Sequence, residues 1–388
     1  MLDISILTLN LNVLLGGIKM AGKHSAGKSD KPEKIQRMES SPKIKSNKKG
    51  KKKNKALKVI GIILLILIII IVGVGIGAYS YITSKLNKMQ QVNINVDELD
   101  VNESLTGYRN IALFGVDSRD SNLGKGNRSD CIIIASINEK TKDIKLISVY
   151  RDTYVQIEGH GLDKITHAYS YGEAPLAIKT LNTNLDLNIK EFVTVNFDLV
   201  AEAVDALGGV QITIEQAELQ YINDYIDGTS SNTGISSSHI TKAGTQTLDG
   251  VQAVAYSRIR YTSGGDYKRT ERMRDVVEAM LKKLKTKSVG EINNLMDTIL
   301  PKVYTNISAG SIIGMIPDVL NYNIKESIGW PYKTQGITLD RWYGVPVTLE
   351  SNVVKLHQEA FEETDYVISD TIKEISDKIV NKTGYKEQ

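Results

Sequence analysis

Arginine and aspartate fall beside one another at several points in the middle of this 388-residue chain: Asp117-Ser118-Arg119, Arg128-Ser129-Asp130 and Arg151-Asp152. Arg258-Ile259-Arg260 sets two guanidiniums on one side of an extended segment, because side chains alternate along a strand. The span from Arg109 to Arg274 holds nine arginines, whereas Asp275 to Gln388 holds only Arg341 and otherwise uses lysine. A solvated surface accepts either cation, but the planar guanidinium fork suits two-point recognition of phosphate or carboxylate. The chemistry this pattern suits is the binding of a doubly liganded anion. Surface ion pairs at strand ends account for the same composition equally well.

The elements that position these residues alternate. Short β-rich runs lie at Asn110 to Val116, Cys131 to Ile137, Lys145 to Val149, Val193 to Asn196 and Val210 to Ile214, each bounded by turn formers. Helical patterns interleave at Ala174 to Leu185, Leu199 to Leu207, Thr270 to Leu284, Ser311 to Leu320 and Val353 to about Thr364. In the third, Met273, Val276, Val277, Met280, Leu281 and Leu284 make one apolar face. This alternation predicts an α/β fold, an α-β-α sandwich with a central mixed β-sheet. Asp117, Arg128 and Arg151 fall where such folds place their sites, in loops at strand ends. Glu215 to Thr241, rich in Asn, Asp, Ser, Gly and Thr, reads as a long loop or irregular insertion.

Composition excludes several classes. With 41% hydrophobic and 24% charged residues, 7 prolines and one cysteine, the chain is neither disordered overall nor collagen-like nor disulfide-stapled. Charge divides sharply: Met1 to Lys58 carries fifteen basic and four acidic residues, and the remainder is net acidic. Val59 to Ser84 has no charged residue, and its apolar stretch matches the roughly 20 residues that span a bilayer core, so one transmembrane helix is predicted over 59–82. Nine lysines between Lys43 and Lys58 place the N-terminus in the cytoplasm and everything after about Lys85 outside. The lysine run reads as a topology signal and a contact for membrane lipid, with no nucleic acid expected. Gly22 to Ser29 matches the phosphate-loop pattern G-x-x-x-x-G-K-[ST], but no strand precedes it and no helix follows, so it reads as a chance match. Translation is expected to begin at Met20. The expected organisation is a disordered basic arm (1–58), the membrane helix (59–82), a stalk (83–108), an extracellular domain (109–365) and a polar tail (366–388).

With the blocks N-I-A-L-F-G-V-D-S-R from Asn110, R-S-D-C-I-I-I-A-S-I-N from Arg128, S-V-Y-R-D-T-Y-V from Ser148 and K-I-T-H-A-Y-S-Y-G from Lys164 in order, the chain resembles the LytR-CpsA-Psr family of cell-envelope proteins. V-D-A-L-G-G-V from Val204, L-D-G-V-Q-A-V-A-Y-S-R-I-R from Leu248 and D-Y-K-R-T-E-R-M from Asp266 continue the match. The resemblance implies an enzyme that transfers an anionic glycan polymer, such as teichoic acid or capsule polysaccharide, from a polyprenyl-pyrophosphate carrier to peptidoglycan through a phosphodiester. It implies Asp117 and Asp130 as ligands of Mg²⁺ or Mn²⁺, and Arg128, Arg151, Arg258, Arg260 and Arg269 as pyrophosphate contacts, with Arg119 and Arg272 as weaker members. Apolar strands and the Thr270 to Leu284 helix would line a tunnel for the lipid. Asp152 or a metal-linked aspartate is the guess for the base, while His167 reads as a hydrogen-bonded structural residue. Tyr150, Cys131 and Met273 depart from the family pattern of Pro, Thr and Gln. Alternatives are a polyprenyl-pyrophosphate hydrolase, a membrane-bound transcriptional attenuator and a non-catalytic binder of envelope glycans.

Overall fold

The computed structural model describes residues 75–118, 122–318 and 321–386. Most of the predicted membrane helix, the basic arm before it and Arg119 lie outside the described residues. Among the described residues, no helix is long and apolar enough to cross a membrane.

Residues 75–86 are helical, and strands β1 (Gln90–Gln91), β2 (Tyr108–Val116), β3 (Ser129–Asn138), β4 (Asp143–Val149), β5 (Tyr154–Ile157) and β6 (Gly161–Lys164) follow. Helix α1 (Ile165–Leu185), β7 (Glu191–Asn196), α2 (Phe197–Ala206), β8 (Val210–Ile214), α3 (Gln216–Thr233), β9 (Gly244–Leu248), α4 (Gly250–Arg258) and α5 (Gly265–Leu284) form the middle of the chain. It continues with α6 (Val289–Ile299), β10 (Tyr304–Thr305), α7 (Ala309–Met315), β11 (Asn323–Trp330), β12 (Thr334–Thr338), β13 (Trp342–Pro346), α8 (Leu349–Phe361) and α9 (Asp370–Thr383). Seven strands make the central sheet in the order β1-β10-β7-β2-β3-β4-β11. The sheet is mixed: β2 runs parallel to β7 and antiparallel to β3, and β4 pairs parallel with β11. The expected central mixed sheet is therefore present, while Val210–Ile214 pairs antiparallel with β9 in a separate two-stranded sheet.

The two faces of the sheet differ in how they are closed. Strand alternation sends Ala112, Phe114, Val116, Ile132, Ile134, Ile147 and Val149 to one side, where they pack with Ile178 and Leu181 of α1, Leu356 of α8 and Ile372 of α9. The opposite face carries Ile111 and Ile137, with Leu113, Ile144 and Val193 only partly buried against Ile312 and Met315 of α7. Helix α6 buries none of its residues, although Ile292, Leu295, Met296 and Ile299 recur at helical spacing. A third cluster joins α3, α4, β8 and β9 through Ile212, Ile222, Ile226, Val251 and Ala255.

Three boundaries differ from the sequence reading. The 215–241 stretch holds an 18-residue helix, opened by a capping box between Glu215 and Glu218 and buried along Glu218, Ile222, Ile226 and Thr229. Its polar composition belongs to the outer face, which masked the spacing of the apolar one. The predicted stalk contributes β1 and buries Leu86, Leu99 and Leu105. The predicted tail is α9, whose Ile372, Ile375 and Ile379 close the core under a charged surface.

Candidate active site

The site forms at one end of the central sheet, where β2, β4 and β7 end and β3 begins. Val116 pairs with Ser129 and with Asn196, which brings Asp117 and the Arg128-Asp130 segment to the same edge. Between them the 122–128 loop is held from below: the Lys125 amide donates to Glu173 Oε1 at 3.0 Å, and the Gly126 amide to the Ser170 carbonyl at 3.1 Å. Glu173 reaches the loop because α1 is broken there, with Gly172 at φ −145° and Glu173 at φ 57° and Pro175 starting the second half.

Arg151, just past β4, gives Nη1 to Asp130 Oδ2 at 2.7 Å, and both side chains are nearly buried. Its neighbour Asp152 takes Lys164 Nζ at 2.7 Å. On the other wall, Gly264 (φ 91°) and Gly265 (φ 51°) turn the chain into α5 through left-handed backbone that glycine adopts freely. Asp266 follows in the first helical turn, where the helix dipole favours a carboxylate, and its Oδ1 lies 3.1 Å from Nη2 of Arg269 one turn on and 3.7 Å from Nε of Arg260. Arg269 is only 2% exposed, yet its Nε has no hydrogen-bond partner, and the same holds for Arg151 Nε and Asp130 Oδ1. Buried polar atoms left unpaired are costly, so this cluster is built to receive polar atoms from elsewhere.

Electrostatics tie the walls together. Burial pushes the Asp130 carboxyl up; Arg151 opposes this, Asp117 adds to it, and Arg128 and Arg260 pull it back down. Burial likewise raises Asp266 to about 6, with Asp152 and Asp130 adding to the push against Arg260 and Arg151. In chelator, the Asp266 carboxyl stabilises the fold fully below its unfolded value near 3.8 and loses that contribution as the pH rises through about 6. Urea melts between pH 4 and 7 are expected to show this decline in the wild type and a flatter profile in Asp266→Asn.

Of the predicted site residues, Asp117, Arg128, Asp130, Arg151, Asp152, Arg260 and Arg269 are gathered at this edge. Arg258 is the last residue of α4 rather than part of an extended segment. It lies over the Phe197 ring at 5.9 Å, donates to Thr229 Oγ1 at 3.3 Å and feels Asp198 on the Asp117 side of the cluster. Arg272 is corrected: it is fully buried beneath the site, with Nε on Glu218 Oε1 at 2.7 Å, Nη1 on the Ile259 carbonyl at 2.9 Å and Nη2 on Thr262 Oγ1 at 2.5 Å. Three internal partners engage its fork and the side chain has no exposed surface, so it braces the 259–262 turn and is out of a ligand's reach. Asp266 and Lys164 were missed. The Gly264-Gly265-Asp266 run three residues ahead of Arg269 was the available signal for the former.

An open cavity of about 370 Å³ adjoins the cluster, lined by Asp117, Asn127, Arg128, His167, Tyr171 and Arg341 among others. A mixed-sheet α/β domain with an arginine–aspartate cluster at its strand ends and a polar cavity beside it is the class that fold and site define. The LytR_cpsA_psr family profile matches residues 76–344, and the chain belongs to this family. Over 303 residues it is 30% identical to polyisoprenyl-teichoic acid--peptidoglycan teichoic acid transferase TagT of Bacillus subtilis (strain 168), covering 74% of this chain and 90% of that protein. Over 232 residues it is 34% identical to the TagU transferase of the same description from Enterococcus faecalis (strain ATCC 700802 / V583), covering 59% and 68%. Among solved structures, TagT bound to LIIa-WTA aligns at 25% identity with a TM-score of 0.50, covering 76% of this chain and 94% of that one. Protein gbs0355 from Streptococcus agalactiae aligns at 26% identity with a TM-score of 0.54, covering 68% and 90%.

Proposed function

We propose that this chain takes an anionic glycan polymer from a polyprenyl-pyrophosphate carrier and joins it through a phosphodiester to a peptidoglycan hydroxyl. The observation that carries the reading is the convergence of Arg128, Arg151, Arg260 and Arg269 on one sheet edge, with two buried Nε atoms that make no hydrogen bond. Fixed fork donors of this kind bind the pyrophosphate and stabilise the charge that develops as the lipid phosphate leaves. Arg258 extends the positive wall toward Asp117. The relatives' printed activity, teichoic acid transfer to peptidoglycan, supports an anionic polymer as cargo.

The donor set fits a hard divalent cation. Asp130 Oδ1 is buried without a partner and Asp117 is near enough to repel it, so Mg²⁺ or Mn²⁺ between them would satisfy both carboxylates. Such an ion supplies neutralisation of pyrophosphate charge. The partly buried apolar face of the sheet, with Leu113, Ile144 and Val193, suits the polyprenyl chain, and Cys131 fits there too: it keeps accessible surface although burial pushes its thiol up to about 12. The uncharged 59–82 segment would hold the catalytic domain at the outer surface of the membrane, with the lysine run inside.

The test uses the full chain in lipid nanodiscs with a labelled polyprenyl-pyrophosphate disaccharide and peptidoglycan oligomers. Label is expected to enter the glycan strand with Mg²⁺ and to stop entering on chelation. Asp130→Asn should cut transfer about 100-fold or more at low Mg²⁺. Release of glycan phosphate to water in place of transfer would overturn the reading in favour of hydrolysis.

A further inference from the structure

We propose that His167, held by Asp163, is the general base that takes the proton from the acceptor hydroxyl, and that the cavity it lines receives the acceptor sugar. The inference rests on the transferase reading above. His167 Nδ1 lies 2.8 Å from Asp163 Oδ2, which also accepts the Tyr171 hydroxyl at 2.8 Å, while Asp163 Oδ1 takes the Lys164 amide at 2.7 Å. These bonds hold the Asp163 carboxyl below the usual range despite the opposing effect of burial. An ionised carboxylate only accepts, so Nδ1 carries a proton, and whenever the ring is neutral its lone pair is on Nε2. No hydrogen bond engages Nε2 among the described residues, and His167 lines a cavity of about 370 Å³ that Arg128 and Asp117 line as well.

Elimination points the same way. Asp117 and Asp130 are committed to the cation in the reading above, while Asp152 is paired with Lys164 and Asp266 with Arg269. Asp266 also opens on a recess of only about 10 Å³, room for one water and not for a sugar. The charged and titratable groups facing His167 are Asp163 and Tyr171 beside it, His160 stacked on Tyr171 at 4.0 Å, and Asp117, Arg128 and Arg341 around the cavity. In the step, the acceptor oxygen bonds to the glycan-linked phosphorus as the bond from that phosphorus to the bridging oxygen breaks. The lipid phosphate leaves with the electron pair, and the hydroxyl proton passes to Nε2.

The experiment measures transfer against pH in nanodiscs for the wild type, His167→Gln, His167→Gly, Asp163→Asn and Asp266→Asn, with donor binding and melting followed in parallel. We expect His167→Gln to lose about 10³-fold in kcat and to lose the acid limb of the profile, with donor binding and melting temperature unchanged. Added imidazole should restore part of the His167→Gly rate in proportion to its free-base concentration. Asp163→Asn should cost about tenfold or more through the tautomer. Transfer by His167→Gln within threefold of wild type, an acid limb lost in Asp266→Asn instead, or joint loss of donor binding and fold in His167→Gln would each overturn the assignment. Wild type that binds donor but transfers nothing would sink the transferase reading and the base with it; active wild type with active His167→Gln would sink the base alone.

Discussion

Arg151→Ala is expected to lower glycan transfer by about 10³-fold, the largest catalytic loss of any single arginine in the cluster. The side chain does two things that alanine cannot. It neutralises Asp130 through a 2.7 Å pair in a nearly buried setting, and its Nε, 3.8 Å from Asp152 Oδ1, makes no hydrogen bond and is available to donate to an incoming anion. Removing it leaves the Asp130 carboxyl pushed up by burial and by Asp117 with its main opposing charge gone. Loss of a preorganised donor at developing charge costs about 10²- to 10³-fold by itself. Arg151→Lys should recover no more than about a tenth of wild-type rate, because a point charge cannot hold Asp130 and present a second donor in one plane. Single-turnover transfer with saturating donor measures this, and a rate within tenfold of wild type in Arg151→Ala would remove the arginine from the chemistry.

The second large effect is on the fold. Arg272 and Glu218 are 0% and 1% exposed and joined at 2.7 Å, with the guanidinium also over the Tyr256 ring at 5.9 Å. Deleting one member of a buried pair leaves the other charge uncompensated and typically costs about 3 to 5 kcal/mol. Arg272→Ala and Glu218→Ala should each lose stability in that range in chemical denaturation. The double substitution Glu218→Leu with Arg272→Met should lose less than either single change, since no orphaned charge remains. Transfer should fall only in step with the folded fraction. A stably folded Arg272→Ala without activity would return the residue to the ligand-binding set.

This pair also marks where sequence reading stops. Adjacency and strand ends made Asp117, Arg128, Asp130 and Arg151 legible, because local chain geometry alone delivers them to one edge. Arg272 could not be told from Arg269 in the same way: both lie on α5 three residues apart, and only the 100° turn per residue relative to α3 decides which guanidinium faces the cluster and which faces Glu218. Helix α3 was hidden for a related reason. Its fully buried apolar residues are Ile222 and Ile226, with Leu219, Tyr221 and Tyr225 only partly buried beside them, and polar residues outnumber them all. The mixed sheet was readable from the alternation of strands and helices, whereas the order of strands depended on long crossovers that carry no local signal. Asp163 and His167 sit at i and i+4 across the start of α1, and their value rests on a cavity that no spacing encodes.

The break in α1 has a mechanical consequence. A continuous helix would point residue 173 along the regular helical path, but the left-handed turn at Glu173 swings its carboxylate under the Lys125 amide, while the Ser170 carbonyl on the preceding turn takes Gly126. Two successive loop amides are thereby riveted to two residues of the element that carries His167. The arginine at the end of that loop and the histidine on the helix share one frame of reference, so thermal displacement of either carries the other along.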